Sequence, residues 1–163
     1  MKIISPLDDY KVNGYKFSEK VSGWGIHLGD DCNAKVDTPV KAIANGEIIY
    51  SAIHSGSIKK RNWGNIIIIK HELSKDKKYF SLYGHLGKRL KNQGDKIEAG
   101  EIIGYVGKAN SAENGWWKSH LHFGIYTGPW NGEVLPGYYK EKQKRTELSY
   151  WENPTEWIMR YSK

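Results

Sequence analysis

Ser119-His120-Leu121-His122-Phe123, read together with His27-Leu28-Gly29-Asp30-Asp31 far upstream, decides what this chain builds. On a strand, His120 and His122 point to one face, because side chains alternate with period two. His27 and Asp31 are four residues apart, and Gly29 between them permits the tight backbone that brings both to one point. One imidazole of the H-x-H pair, joined by a histidine and a carboxylate from elsewhere, completes a three-ligand metal site with an open position. That is the catalytic style of zinc site, not the closed structural style.

His122 is the natural third ligand beside His27 and Asp31. A water in the fourth position of a zinc site has its pKa lowered toward about 7. His120 then stands on the same face without being needed as a ligand. His85, in Leu82-Tyr83-Gly84-His85-Leu86, is a second spare imidazole. Two such groups supply what peptide hydrolysis requires: one takes the water's proton and returns it to the leaving amine, the other holds the oxyanion or orients the water. Each motif alone is weak, since a lone histidine is more often structural; their joint occurrence among glycines is far more specific. His71, at the end of an isoleucine-rich strand, and His54, in a polar turn, are read as structural.

Outward from these motifs the pattern is overwhelmingly β. Val40–Ala44, Asn45-Gly46 and Glu47–Ser51 read as two strands around a hairpin turn. Asn65–Lys70 is a short isoleucine-rich strand, and Tyr79–Tyr83 another. Gly94–Gly107 has strand-like pieces punctuated by glycines, and Ser119–Tyr126 completes the set. Residues 130–150 are aromatic and charged without a clear period and read as a surface excursion. Asn153-Pro154-Thr155-Glu156 is a helix start, with Asn as N-cap, Pro in the first turn and Glu three residues on. Trp157, Ile158 and Tyr161 would dock that helix, over 153–161, on the sheet.

The whole chain of 163 residues is expected to form a single domain. It is 39% apolar and 26% charged, outside the disordered class. No apolar run approaches the roughly 20 residues of a membrane-spanning helix. The formal net charge of +7 favours polyanions: nucleic acid, anionic lipid or an acidic cell wall. The single cysteine, Cys32, excludes an intrachain disulfide and zinc sites needing several thiolates. Following Asp31 directly, it projects away from that carboxylate and reads as a small buried residue. Met1–Asp9 does not read as a secretion signal, being short and broken by Pro6 and two acids. Action at the place of synthesis, another export route and a longer precursor stay open.

From about Gly23 to Tyr126 the chain resembles the lysostaphin/LytM-type zinc endopeptidases that cut peptide bonds in bacterial peptidoglycan. The resemblance runs through Gly25-Ile26-His27-Leu28-Gly29-Asp30-Asp31, the Pro39–Gly46 segment, Gly64-Asn65, Tyr83-Gly84-His85-Leu86, Gly94–Gly107 and His120-Leu121-His122-Phe123. It implies an antiparallel β-sheet, sandwich-like peptidase domain with loops around a groove and a short C-terminal helix. It also implies one Zn2+ held by His27, Asp31 and His122, with His85 and His120 as catalytic histidines. A peptidoglycan peptide is the implied partner, and the implied location is the cell envelope or outside the cell; we expect a monomer. The family often carries an acid where this chain has Gly124, which implies altered support for the site, not loss of metal. Tyr15 is a counterpart for a tyrosine that assists the oxyanion in some members.

Three rival readings remain. A non-catalytic wall-binding or amidase-activating module of the same fold predicts no zinc, or zinc without turnover; all five site positions are kept here, which argues against it. A lipoyl- or biotinyl-carrier domain needs a lysine at a hairpin tip, and Asn45-Gly46 has none. Specific nucleic-acid binding lacks a reading motif, and cell-wall polymers account for the charge equally well. Trp24, Trp63, Trp116, Trp117 and Trp130 are open to two readings, as groove walls or as loop packing. Ser111–Gly115 reads as a mobile lip.

Overall fold

The computed structural model describes residues 2–163. Its elements in chain order are β1 (Lys20–Val21), β2 (Gly25–His27), β3 (Asp30–Asn33), β4 (Pro39–Lys41), β5 (Gly46–His54), β6 (Gly64–Ser74), β7 (Lys77–Arg89), β8 (Lys96–Ile97), β9 (Ile102–Val106), β10 (His120–Tyr126), β11 (Tyr138–Tyr139), β12 (Trp151–Glu152) and α1 (Pro154–Tyr161). All pairings are antiparallel. A large sheet runs β12-β10-β7-β6-β5-β8, with β3 on β10 and β9 joining β7 to β4; a small sheet runs β1-β2-β11.

Ile66-Ile67-Ile68-Ile69 shows why the large sheet sits in the interior. All four are fully buried. Period two sends Ile67 and Ile69 to one apolar layer, with Tyr83, Leu121, Phe123 and Trp157. Ile66 and Ile68 go to the other, with Leu28, Leu82, Leu135 and Trp151. A strand covered on both faces reads as a continuous apolar run instead of an alternating one. The helix α1 closes the first layer. Asn153 caps it, accepting from Glu156 N at 3.2 Å, and Trp157 and Ile158 are buried beneath it.

The hairpin expected over 40–51 does not form. β4 pairs with β9, whereas β5 pairs with β6 and β8. Between them the chain crosses the core: Ala42, Ile43 and Ala44 are buried, and Ala42 N donates to Glu101 O at 2.9 Å. Asn45 is a tie, with its side-chain oxygen accepting from Ala99 N at 2.8 Å. Gly46 is required by proximity, since a Cβ there would lie 2.4 Å from Lys70 O. An Asn-Gly pair was therefore spent on close packing instead of a positive-φ turn, and the tip that a carrier domain needs is absent.

Residues 130–150 are more than a surface excursion. Leu135 is buried, Tyr138 pairs with His27, and Leu135 O accepts from Trp63 Nε1 at 3.0 Å. Ser111–Gly115 is likewise pinned. The fully buried Asn114 accepts at Oδ1 from Trp116 N (3.0 Å) and Trp117 N (3.2 Å) and donates to Trp117 O (2.8 Å).

Candidate metal centre and groove

Strand register assembles the centre. On β10 the partner of His122 is Asp31 on one side and Gly84 on the other. Asp31 and His122 therefore share a face, with His120 two residues along. The intervening Cys32, Leu121 and Phe123 enter the apolar layer behind. The turn Leu28-Gly29 then places His27 beside them, its ring 4.7 Å from that of His122. Gly29 serves close approach: a Cβ would lie 2.5 Å from Phe123 O and 2.7 Å from His122 Nε2.

Asp31 Oδ1 lies 3.2 Å from His27 Nε2, 3.1 Å from His122 Nδ1 and 3.7 Å from His120 Nε2. Its carboxylate and the imidazoles are all buried. His27, Asp31 and His122 each offer a donor atom within 4.8 Å of the others, a group that could hold a metal ion. A test of fit is whether these donors are otherwise engaged. Asp31 Oδ1, His27 Nε2 and His122 Nε2 are buried without a hydrogen-bond partner among the described residues. Buried polar atoms left so cost about 1–3 kcal/mol each, more when charged. A cation among them removes that cost for the first two. The spacing agrees: a tetrahedron with bonds of about 2.0–2.1 Å has edges of about 3.3–3.4 Å.

Backbone carbonyls fix three tautomers. His27 Nδ1 donates to Lys16 O (3.2 Å), His85 Nδ1 to Asn114 O (3.0 Å) and His120 Nδ1 to Lys118 O (2.7 Å). A carbonyl only accepts, so each ring carries its proton on Nδ1 and presents a lone pair at Nε2. His122 Nε2 stays unpartnered, and Gly124, two residues on along the same face, offers it no side chain.

Electrostatics follow burial and charge. Burial opposes ionisation of Asp31, but the His122 and His27 imidazoles beside it outweigh that and hold the carboxyl well below its usual range. Burial pushes the His122 imidazolium down to about 4. Burial also lowers His85, with His120 adding to the effect, and burial lowers His120. Neutral imidazoles are the forms that bind metals and accept protons.

His85 reaches the groove by a route that alternation does not give. Its neighbour Tyr83 faces the core, so period two would send His85 there as well. The register of β7 against β6 shifts between Asn65 and Ile67, and His85 takes φ 62°. This bulge turns the ring outward to 4.7 Å from that of His120. Trp63 sits over Gly84, where a Cβ would come within 2.3 Å of its ring, and is 5.3 Å from the His85 ring.

The groove has a volume of about 830 Å³, and Asp31, His85, His120 and His122 line it; His27 lies fully buried behind. Trp24, Trp63 and Trp117 form its walls, whereas Trp130 packs against Phe80 and Tyr50. Tyr15 lines the groove with its ring 5.8 Å from that of His27. His54 also reaches its rim, hydrogen-bonded to Tyr50 OH. His71 is structural, held by Asn45 O at 2.7 Å and Ser81 Oγ at 2.6 Å.

Two contributors went unread in the sequence. Asp30, facing away from Asp31, accepts from Tyr10 OH (3.1 Å), Phe17 N (2.9 Å) and Thr155 Oγ1 (2.7 Å), tying both ends of the chain behind the site. Alternation in Asp30-Asp31 was the signal for it. Tyr138, 5.2 Å from the His27 ring, comes from the aperiodic 130–150 segment and had no local signal.

The fold is thus mostly β and groups two histidines and an aspartate that could hold a metal ion. Residues 25–135 match peptidase family M23, and the chain belongs to that family. It is 31% identical over 110 residues to the DD-carboxypeptidase/endopeptidase Mpg of Neisseria meningitidis, a match covering 68% of this chain and 22% of that relative. Among solved structures, the catalytic domain of the antimicrobial peptidase lysostaphin from Staphylococcus simulans is 26% identical with a TM-score of 0.59, covering 90% of each chain. A zinc-containing peptidase from Vibrio cholerae is 25% identical with a TM-score of 0.58, over 74% of this chain and 35% of that one.

Proposed function

We propose that this chain is a zinc-dependent endopeptidase that hydrolyses peptide bonds in the cross-links or stem peptides of bacterial peptidoglycan. The observation that carries this reading is the buried donor cluster of His27, Asp31 and His122, with the free Nε2 atoms of two neutral imidazoles beside it. The family match and the likeness to named wall peptidases support it.

In this reading His27 Nε2, Asp31 Oδ1 and His122 Nδ1 hold the ion. Zinc bound there supplies Lewis acidity, polarising the scissile carbonyl and lowering the pKa of water to about 7. His85 and His120 do the proton work. One Nε2 lone pair accepts a proton from the attacking water and returns it to the leaving amine, and the other accepts a hydrogen bond from that water and orients it. The carbonyls of Asn114 and Lys118 hold both rings in the required tautomer. Trp24, Trp63 and Trp117 shield the groove and give an extended peptide flat surfaces to lie on. One chain supplies every group, so a monomer suffices, and the substrate places the protein in the cell envelope or outside the cell. Among the described residues no helix is long and apolar enough to cross a membrane.

The test is mass spectrometry of peptidoglycan digested by the zinc-loaded protein, using walls of several cross-link types, with His120→Ala as control. New amino termini that depend on His120 are expected. Intact walls of every type, with zinc bound at one per chain, would refute the endopeptidase.

A further inference from the structure

The groove is charged in one sense. Arg61, Lys118, Lys140 and Arg145 line it, against a single exposed acid, Glu19. Several lysines elsewhere are paired: Lys41 with Asp8, Lys70 and Lys96 with Glu47, and Lys91 with Glu101. Among the described residues, none of the four groove cations has a carboxylate within 4.0 Å. Lys140 Nζ donates to Gly23 O at 3.3 Å and Arg145 donates to Val134 O at 2.7 Å, uncharged partners that position the side chains and leave their charge uncompensated.

Arg61 is the best placed of the four. Its guanidinium carbon lies 4.9 Å from the centre of the Trp117 ring, which is held by its Nε1 donating to Asn62 O at 2.9 Å. The Trp117 ring is in turn 5.6 Å from His85. These contacts keep the guanidinium within about 10 Å of the His85 ring, a reach of about three extended residues. A guanidinium stacked on an aromatic face keeps its in-plane donors free for a carboxylate.

Taking the groove as the peptide-cleaving site described above, we propose that it selects anionic peptides, and that Arg61 reads a free substrate carboxylate within about three residues of the scissile bond. The substrate class is then the acidic stem peptide, with its free α-carboxylates, and not the uncharged oligoglycine bridge. Lys118, Lys140 and Arg145 add a field that draws the same substrates in.

The probes are L-alanyl-γ-D-glutamyl-L-lysyl-D-alanyl-D-alanine, the same peptide with both carboxylates amidated, and pentaglycine amide. Stopped-flow tryptophan quenching measures binding to the zinc-loaded chain, and initial rates give kcat and KM. The free-acid peptide should bind about three- to tenfold more tightly than its amide, and the preference should shrink in high salt. Arg61→Gln should abolish most of the preference through KM with kcat little changed, and Lys75→Gln, a matched charge loss outside the groove, should preserve it. Equal binding of acid and amide, a preference for pentaglycine amide, or an unchanged preference in Arg61→Gln would each overturn the proposal. Cleavage without charge preference refutes this proposal and leaves the endopeptidase standing. Charge preference in binding with no cleavage of any peptide or wall does the reverse.

Discussion

The two faces of β3, β7 and β10 are built by the same residues in alternation, yet they obey opposite rules. One face carries Cys32, Tyr83, Leu121 and Phe123, all fully buried in apolar contact. The other carries Asp31, His120 and His122, equally buried but polar, with Asp31 Oδ1 and His122 Nε2 lacking hydrogen-bond partners among the described residues. The apolar face gains from burial at about 25 cal/mol per Å². The polar face loses by it, because charge and lone pairs leave water without full compensation. The cost is tolerated because the strands are locked from behind, and a metal ion held by donors already in place would offset it. Rigidity on one face is thus the condition for holding unpartnered donors together on the other.

The comparison breaks most sharply at the metal cluster. His122→Ala should lose zinc, read by atomic absorption, and with it about 10³-fold or more in wall hydrolysis. It should leave the apo fold no less stable, since it also removes an unpartnered polar atom. His120→Ala and His85→Ala should retain zinc at one per chain and still lose about 10²–10⁴ in rate. If His120→Ala emptied the centre and His122→Ala did not, the assigned roles would be reversed.

On the apolar face the expected loss is of stability. Phe123→Ala should cost about 3–5 kcal/mol in denaturant unfolding, by removing a fully buried ring that contacts Tyr83 and Tyr10. Any variant still folded should bind zinc with native stoichiometry, which separates the two faces experimentally.

His71 tests the same contrast by pH. Burial depresses its imidazolium pKa to about 4 from the ordinary 6.5. The unfolded chain therefore takes up the proton first as pH falls. The contribution is fully present above pH 6.5, declines below it, and is exhausted near pH 4, a loss of about 3 kcal/mol at 1.36 kcal/mol per unit. His71→Gln should flatten the stability profile over that window relative to the parent, as followed by urea unfolding at successive pH values. The smallest effect is expected at the helix cap: Asn153→Ala should cost about 1 kcal/mol and leave wall hydrolysis unchanged.

Much of the apolar face was legible. Isoleucines 66–69, the alternation in His120-Leu121-His122-Phe123 and the Asn-Pro helix start are local signals, and each formed the expected kind of element. The Val40–Ser51 hairpin failed because the Asn-Gly signal was local and the competing partners were not: β4 paired with β9, more than 60 residues away, and β5 with β6. The wall formed by 130–150 failed for a related reason. Tyr138 has no periodic neighbours and is fixed by pairing with His27 and packing on Trp24, both more than a hundred residues upstream.

By itself the sequence determined the chemical inventory and its local facing. It placed His120 and His122 on one face, Asp31 opposite in sense to Cys32, and a glycine at position 29, where another strand comes close. These follow from period two and from the size of a Cβ, which need no knowledge of neighbours. Only the tertiary structure decided which groups meet. The pairing of Asp31 with His122 closes a loop of some ninety residues, and the bulge at Gly84-His85 reverses the facing of His85 against its own alternation. The Arg61–Trp117–His85 contacts join two loops to strand β7. Strand register and backbone strain are set by the packing of the whole sheet, and no stretch of sequence carries them alone.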